Sequence, residues 1–332
     1  MKNESIIKKI TGSREALLAI VLVVLSILIQ FQSPSFLTMT SIMDMLKNNA
    51  VIMILVLGML CVLLIGGIDI SISSTCAFIG MTVGLLLKYG KVENTLLLFL
   101  IAIAMGMICG FIIGIVISRG KVIPIIATMG FMYIYRGAAY VISNNQWASA
   151  ADLGDFKDFA LGSYLGFGII NNVIVVTIVC YIVFFVIMKW TTIGRRIYAV
   201  GSNVEAAEVS GINTRNIKLM VYTVMGALCG LGGALAVAVY SSAQPNMMYG
   251  AEMNVIAACV IGGVSMNGGR GTVVGALLGA LTMAIINKAL PLVGIDSIAQ
   301  NTVQGAIIML VIIMNVMMQR SGYKNNLKRR EM

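Results

Sequence analysis

The chain has no histidine, and charged residues make up only 11% of its 332 positions. Without histidine it lacks the commonest general base and the commonest metal ligand of proteins. Soluble domains carry about 25% charged residues, so a soluble fold of this length would have too few polar side chains to cover its surface. These absences argue against most enzyme chemistry and against an ordinary water-soluble domain.

Motifs for catalysis are missing as well. The sequence has no pair of carboxylates at catalytic spacing, no Walker-type loop and no cluster of metal ligands. The stretch Gly268-Gly269-Arg270-Gly271 is glycine-rich but lacks the Gly-Lys-Ser/Thr ending of a phosphate-binding loop. All six cysteines lie in apolar runs without C-x-x-C pairs, which is typical of small buried hydrophobic residues. We expect no catalytic residue, no metal and no cofactor.

Long apolar runs are what the sequence has instead. Hydrophobic residues make up 59% of the chain, and its mean hydropathy is +0.97. A membrane-spanning helix needs about 20 apolar residues. We predict an all-α polytopic membrane protein in the bilayer, a single transmembrane domain over residues 1–332. Ten runs read as spans, the first retained because no small-x-small cleavage site follows it: 16–31, 51–66, 72–87, 94–117, 124–142, 169–188, 219–239, 254–266, 272–289 and 302–318.

Two of these runs, 51–66 and 254–266, are short and end in glycine pairs, Gly66-Gly67 and Gly262-Gly263. Short segments interrupted by glycine in both halves of a transporter often mark broken helices that line a pathway. The residues around the two pairs are alike, which fits either an internal duplication or convergent use of glycine. We therefore expect broken or short helices at both pairs.

The distribution of Lys and Arg predicts the orientation. With ten spans and both termini in the cytoplasm, 17 of the 23 basic residues fall on the cytoplasmic side. This agrees with the positive-inside rule. Residues 1–15, 189–218 and 319–332 are then a cytoplasmic N-terminus, loop and tail. The net charge of +10 follows from this topology, so we do not expect nucleic-acid binding.

The cytoplasmic loop 189–218 is the most polar segment of the chain and predicts a helix of its own. Ser202 or Asn203 is suited to cap a helix of about two turns, with acidic residues near its start. Gly211 is suited to end that helix in a left-handed conformation. One interpretation is a plain linker helix; the other is a docking element for a partner.

Within this loop, Glu205-Ala206-Ala207-x-x-x-Gly211 resembles the cytoplasmic EAA-type loop of ABC importer permeases. In that family the loop forms a coupling helix that docks into a cleft of the ATPase subunit. The resemblance implies that Arg195, Glu205, Ala206, Ala207 and Gly211 couple this chain to an ATPase.

Further segments resemble the ribose-type branch of sugar ABC permeases over nearly the whole chain and in the same order. They are residues 66–71, 126–130, 194–203, 241–245, 260–265 and 268–272. The resemblance implies a bacterial inner-membrane importer of a ribose-like monosaccharide that works by ATP-driven alternating access. It also implies three partners: a cytoplasmic ATP-binding ABC subunit, an extracytoplasmic sugar-binding protein and a second permease subunit in a homodimer. The sequence departs from the family pattern at Glu252-Met253-Asn254 and at Ile70-Ser71-Ile72-Ser73, which leaves the solute open.

Five polar residues near the breaks are candidates for the translocation pathway: Asp69, Ser71, Arg136, Glu252 and Asn254. Asp69 is an acid at membrane depth, where charged side chains usually face a cavity or a partner; it also suits a cap for the third span. Arg136 is placed either to extend to the outer face or to pair with an acid such as Glu252. Glu252 and Asn254 suit either a sugar hydroxyl, the binding protein or a helix cap.

Two rival functions remain open. The same architecture serves branched-chain amino acids and signalling sugars, but a zwitterionic solute would favour charged pairs in the pathway, and this chain has few charges in its spans. A secondary transporter or channel would need several intramembrane carboxylates for ion coupling. Asp69 is the one clear candidate in the sequence, and the capped cytoplasmic helix would then have no role.

Overall fold

The computed structural model describes residues 14–166, 168, 170–296, 299, 300, 302–306, 309 and 313. Its regular elements in this part of the chain are helices, accompanied by isolated β-bridges between Ala148 and Ala243 and between Gly166 and Ile170. The helices are α1 (Arg14–Gln32), α2 (Met39–Leu64), α3 (Ile72–Lys88), α4 (Thr95–Ser118), α5 (Pro124–Ser143), α6 (Phe156–Leu161), α7 (Asn172–Trp190), α8 (Thr192–Ser202), α9 (Val204–Val209), α10 (Thr214–Tyr240), α11 (Ala251–Ile261) and α12 (Val273–Leu292).

The all-α membrane fold is confirmed. Among the described residues, seven helices are long and apolar enough to cross a membrane: α1, α2, α4, α5, α7, α10 and α12. The third and eighth predicted spans correspond to the shorter apolar helices α3 and α11. The predicted tenth span, 302–318, lies mostly outside the described residues, as do most of the predicted N-terminus, 1–15, and all of the tail, 319–332.

Two details of the predicted helices are wrong. The run 51–66 is not a short span, because α2 begins at Met39 and continues for 26 residues through the amphipathic stretch that precedes the run. Thr38 caps this longer helix by accepting a hydrogen bond from the backbone N–H of Ser41. The loop 189–218 contains two helices rather than one, since α8 precedes the predicted helix α9.

The centre of the fold is built on α2 and α10, whose most apolar windows are 78% and 72% buried. Glycines let α4 and α10 touch through their backbones. An added Cβ at Gly226 of α10 would lie 2.1 Å from the carbonyl oxygen of Gly106 in α4. One at Gly110 would lie 2.2 Å from the carbonyl oxygen of Tyr222. These glycines of α4 and α10 therefore serve helix packing.

The breaks predicted at the two glycine pairs are present. After α2, Gly66 has φ +73°, and the N–H groups of Gly66 and Gly67 bond the carbonyls of Leu63 and Val62. After α11 it is the second glycine, Gly263, that takes the left-handed conformation, with φ +82°. Both breaks are Schellman caps, and the left-handed residue is the first glycine of the pair after α2 and the second after α11. The capping geometry itself therefore requires glycine at each break.

Candidate coupling helix and membrane break

Helix α9 forms where its capping residues predict it. Asn203, not Ser202, is the N-cap, and its side chain accepts a hydrogen bond from the N–H of Ala206 at 2.9 Å. The helix ends at a Schellman cap in which Gly211 has φ +80° and its N–H bonds the carbonyl of Glu208 at 2.9 Å. The N–H of Ile212 bonds the carbonyl of Ala207 at 3.0 Å. A six-residue helix is held at both ends, which makes it a defined protrusion rather than a loose linker.

The predicted coupling residues of α9 divide between two faces. Glu205 and Ala206 are exposed, whereas Ala207 is buried and faces the protein. Val209 is 90% exposed, which is unusual for an aliphatic residue on a helix this polar. The sequence analysis missed Val209, although the sequence places it next to Glu208 in the last turn of the predicted helix. The exposed surface of α9 therefore carries two acids, Glu205 and Glu208, and the aliphatic side chain of Val209.

Helix α8 seats α9 on the membrane domain. An added Cβ at Gly201 of α8 would stand 1.6 Å from the carbonyl oxygen of Leu64, the last residue of α2. The same carbonyl accepts a hydrogen bond from the N–H of Gly269 at 2.9 Å. The hydroxyl of Tyr198 donates to the carbonyl of Gly271 at 2.7 Å. One short helix thus touches the end of α2 and the loop that leads into α12.

Tyr198 and Arg195 lie on different sides of α8. Burial raises the pKa of Tyr198, so its hydroxyl keeps its proton and remains the donor to Gly271. Arg195 is exposed, and its guanidinium reaches the carbonyl of Trp190 at 3.5 Å. Arg195 therefore lies outside the packed side of α8.

Residues 65–71 cross part of the membrane domain without helical structure and carry Asp69. This acid is 3% exposed, and its Oδ1 accepts hydrogen bonds from the Ser71 N–H at 2.8 Å and the Ser71 hydroxyl at 2.6 Å. This turn lies directly before α3, so Asp69 stabilises the start of that helix. Ser71 is itself the N-cap and is fully buried.

Helix α5 runs along this break. The hydroxyl of Thr128 donates to the carbonyl of Ile68 at 3.3 Å, and the guanidinium of Arg136 reaches the Ser73 hydroxyl at 3.5 Å. Thr128 and Arg136 are about 12 Å apart along a helix that rises 1.5 Å per residue. Asp69 and Ser71 therefore lie between these two depths, well inside the membrane domain.

Arg136 joins this region to the segment before α11. Its guanidinium donates to the carbonyls of Pro245 at 2.8 Å and Met247 at 3.0 Å. Among the described residues it forms no salt bridge with Glu252, although the two charges interact electrostatically. Arg136 thus holds backbone carbonyls of the segment before α11.

Four buried side-chain polar atoms have no hydrogen-bond partner among the described residues, and besides the hydroxyls of Ser74 and Ser118 they are two. One is Oε2 of Glu252; the other is the hydroxyl of Tyr222 on α10. An added Cβ at Gly67 would lie 2.5 Å from that hydroxyl. Sequence reasoning missed Tyr222, because a tyrosine inside an apolar helix gives no local signal. Asn254 is half-buried in the first turn of α11.

Groups of three or more Cys, Asp or Glu side chains suited to a metal ion are absent from the described part of the chain. The polar groups at the break are hydroxyls, backbone carbonyls, one arginine and separate carboxylates. Such a set can hydrogen-bond a polar solute or hold a helix start, and it offers no nucleophile with an adjacent base.

Comparison with known proteins agrees with this geometry. Residues 41–312 match the model of a family described as branched-chain amino acid transport system / permease component. The chain is 34% identical to the ribose import permease protein RbsC of Escherichia coli (strain K12) over 301 residues, covering 89% of this chain and 92% of that protein.

Two other relatives are named for sugars other than ribose. The L-arabinose ABC transporter permease protein AraH of Azospirillum brasilense is 30% identical, over 89% of this chain and 86% of its own length. The galactose/methyl galactoside import permease protein MglC of Escherichia coli (strain K12) is 32% identical, over 92% and 95%. No solved structure matches the chain.

Proposed function

The chain belongs to the branched-chain amino acid transport system / permease component family, and from this membership we propose that it imports a ribose-like monosaccharide as the permease subunit of an ABC transporter. The support is the set of relatives, named for ribose, arabinose and galactose, which align over about nine-tenths of the chain. The chain is a multi-pass protein of a bacterial inner membrane with both termini in the cytoplasm. It hydrolyses nothing itself.

A cytoplasmic ATP-binding subunit supplies the energy and docks on α9. The observation that carries this step is the helix capped at both ends, with Glu205 and Val209 exposed on it. Rigid caps matter because a frayed turn would absorb a push from a partner instead of passing it on. Arg195 extends the same surface, and Ala207 anchors it from beneath.

Motion at α9 reaches the membrane break through α8. Gly201 rests against Leu64 at the end of α2, and Gly269 bonds the same carbonyl. A displacement of α8 therefore moves both the start of segment 65–71 and the loop before α12. We assign Asp69 and Ser71 to the gate at this break. Arg136, Glu252 and Asn254 belong to the outer part of the same pathway.

Two further partners complete the importer. A second copy of the chain forms a homodimer, and an extracytoplasmic sugar-binding protein delivers the solute to the outer ends of the spans. Affinity resides in the binding protein, because a tight site in the membrane would slow release. Isolated permease should accordingly bind sugar weakly.

The second candidate solute is a branched-chain amino acid, favoured by the description of the family. A branched-chain amino acid and a sugar differ in the charged groups that they require in the pathway. An amino acid needs a positive and a negative group held together, whereas Arg136 here is bonded to backbone carbonyls and lies in no salt bridge among the described residues. Neutral hydroxyls such as those of Thr128 and Ser73 suit a sugar.

The test is co-purification of the ATPase subunit, together with ATP-dependent uptake in proteoliposomes. Glu205→Lys reverses the exposed charge, and Gly211→Pro is incompatible with φ +80°. Both variants should lose the ATPase while remaining folded. Glu93→Lys and Gly154→Pro are matched controls, since both lie in loops away from α9 and Gly154 also has positive φ. Solute movement by the purified chain without ATP would overturn the proposal.

A further inference from the structure

A groove with an apolar floor opens between α1, α7, α8 and α12. It encloses about 370 Å³, within the usual range of about 300–1,000 Å³ for sites that hold small molecules. Phe185, Met188 and Val274 line its floor. Glu15 and Lys189 line its rim, together with the hydroxyl-bearing side chains of Tyr198 and Thr272. None of these residues takes part in the pathway or in the surface of α9.

The groove lies at the level of phospholipid headgroups. It is formed by the first turns of α1 and α12 and the last turn of α7, all at the face that the Lys and Arg distribution predicts to be cytoplasmic. Trp190, 62% exposed, follows Lys189 directly. Exposed tryptophans at helix ends mark the boundary between acyl chains and headgroups. An occupant would therefore meet the groove from the inner leaflet.

The two charges of the rim do not neutralise each other. Oε1 of Glu15 accepts a hydrogen bond from the Thr272 hydroxyl at 2.8 Å. The ammonium group of Lys189 lies over the rings of Phe185 and Trp190, 5.0 and 5.8 Å from their centroids. The salt bridge found in the described residues joins Lys47 to Asp44, so Glu15 and Lys189 share one groove unpaired. An occupant that complements this rim carries one positive and one negative group.

We propose that the groove binds an ethanolamine phospholipid of the inner leaflet. The phosphate meets Lys189, the primary ammonium donates hydrogen bonds to Glu15, and one acyl chain covers the apolar floor. A purely anionic headgroup would face the carboxylate of Glu15, and a choline headgroup has no N–H to donate to it. Because Tyr198 belongs to α8, the lipid ties α1 and α12 to the helix that seats α9.

The experiment needs neither ATPase nor sugar, so its result is independent of the proposed function. The full chain is purified in detergent and supplied with phosphatidylethanolamine, phosphatidylcholine or phosphatidylglycerol of identical acyl chains. At about five times the Kd, phosphatidylethanolamine should raise the Tm by roughly 1–2 °C more than the other two. Native mass spectrometry should show it retained with defined stoichiometry.

Variants separate the two charges. Glu15→Gln should remove the advantage of phosphatidylethanolamine over phosphatidylcholine, and Lys189→Gln should weaken the response to both. Glu93→Gln and Lys121→Gln, exposed charges elsewhere, should change neither. Equal Tm responses to the three lipids, or a response to phosphatidylglycerol alone, would overturn the proposal. So would a preference for phosphatidylethanolamine that survives Glu15→Gln.

Discussion

Gly201 of α8 lies directly against the carbonyl oxygen of Leu64, the last residue of α2. Side chains larger than hydrogen do not fit there, since a Cβ would stand 1.6 Å from that oxygen. The end of a buried helix and the helix that carries α9 therefore touch through their backbones. Movement of one has to displace the other.

Gly201→Ala should separate α8 from α2. Overpacking of this kind costs about 1–3 kcal/mol, and we expect a loss of that size with a sharp fall in ATP-dependent uptake. Thermal unfolding in detergent and uptake in proteoliposomes measure the two effects. Gly137→Ala in α5 is the control, because an added Cβ there meets nothing within 4 Å. Wild-type uptake by Gly201→Ala would contradict the proposed relay.

Gly211→Ala should weaken α9 through the backbone alone. Its position has φ +80° and open space around it, so the penalty is the strain of a left-handed residue, about 1–2 kcal/mol. Gly211→Asn should recover part of the loss, because asparagine tolerates this conformation. Affinity for the ATPase subunit is the readout. Equal behaviour of the two variants would show that φ is not the cause.

Gly226→Ala should destabilise the helix pair α4–α10 by about 1–3 kcal/mol, since the added methyl would meet the Gly106 carbonyl at 2.1 Å. We expect a lower melting temperature and no change in the exposed surface of α9. Binding of the ATPase subunit, measured below the melting temperature, should remain near wild type. A melting temperature equal to that of Gly137→Ala would refute the backbone contact.

Tyr222→Phe should leave stability unchanged or raise it. The hydroxyl is buried without a hydrogen-bond partner among the described residues, and removing such a group relieves a desolvation penalty of about 1–3 kcal/mol. Uptake should fall, because this hydroxyl lies against Gly67 in the break that carries Asp69. A destabilised Tyr222→Phe would mean that the hydroxyl is bonded in the folded protein.

Arg136→Lys should lower uptake even though the charge is kept. One guanidinium nitrogen donates to the carbonyls of Pro245 and Met247 while the other reaches the Ser73 hydroxyl, and a lysine ammonium lacks that second nitrogen at a fixed distance. Arg136→Gln should lower uptake at least as far. Uptake at the wild-type level in Arg136→Lys would assign the role of Arg136 to charge instead of geometry.

Local signals account for what the sequence could predict. Apolar runs marked the spans, and Ser202 or Asn203 with Gly211 marked the ends of α9. Helix α8 was missed because it contains two glycines, Gly194 and Gly201, and its buried face has only Ile197 and Val200 beside Gly194, with Arg195 and Arg196 exposed. Both glycines are required by backbone contacts, which only the folded chain brings about.

The relations between elements were out of reach for the same reason. Tyr222 meets Gly67, and Arg136 meets Pro245 and Met247, across long stretches of chain. The sequence analysis placed Arg136 at depth and offered Glu252 as its partner, since it could weigh charges but not backbone carbonyls. Backbone carbonyls inside a membrane domain can accept hydrogen bonds, and no residue type in the sequence indicates which of them will.

Helix α1 packs mainly against α12, through Leu22 and Ile29 near Ile285, and Glu15 bonds Thr272 across 257 residues. At about 5–20 residues per second of synthesis, α1 would wait roughly 13–50 s for this partner. During that time lipid or the insertion machinery takes the place of α12 beside α1. Its exposed leucines, isoleucines and valines suit it to that interval, and a chain stalled before α12 would leave it without its native neighbour.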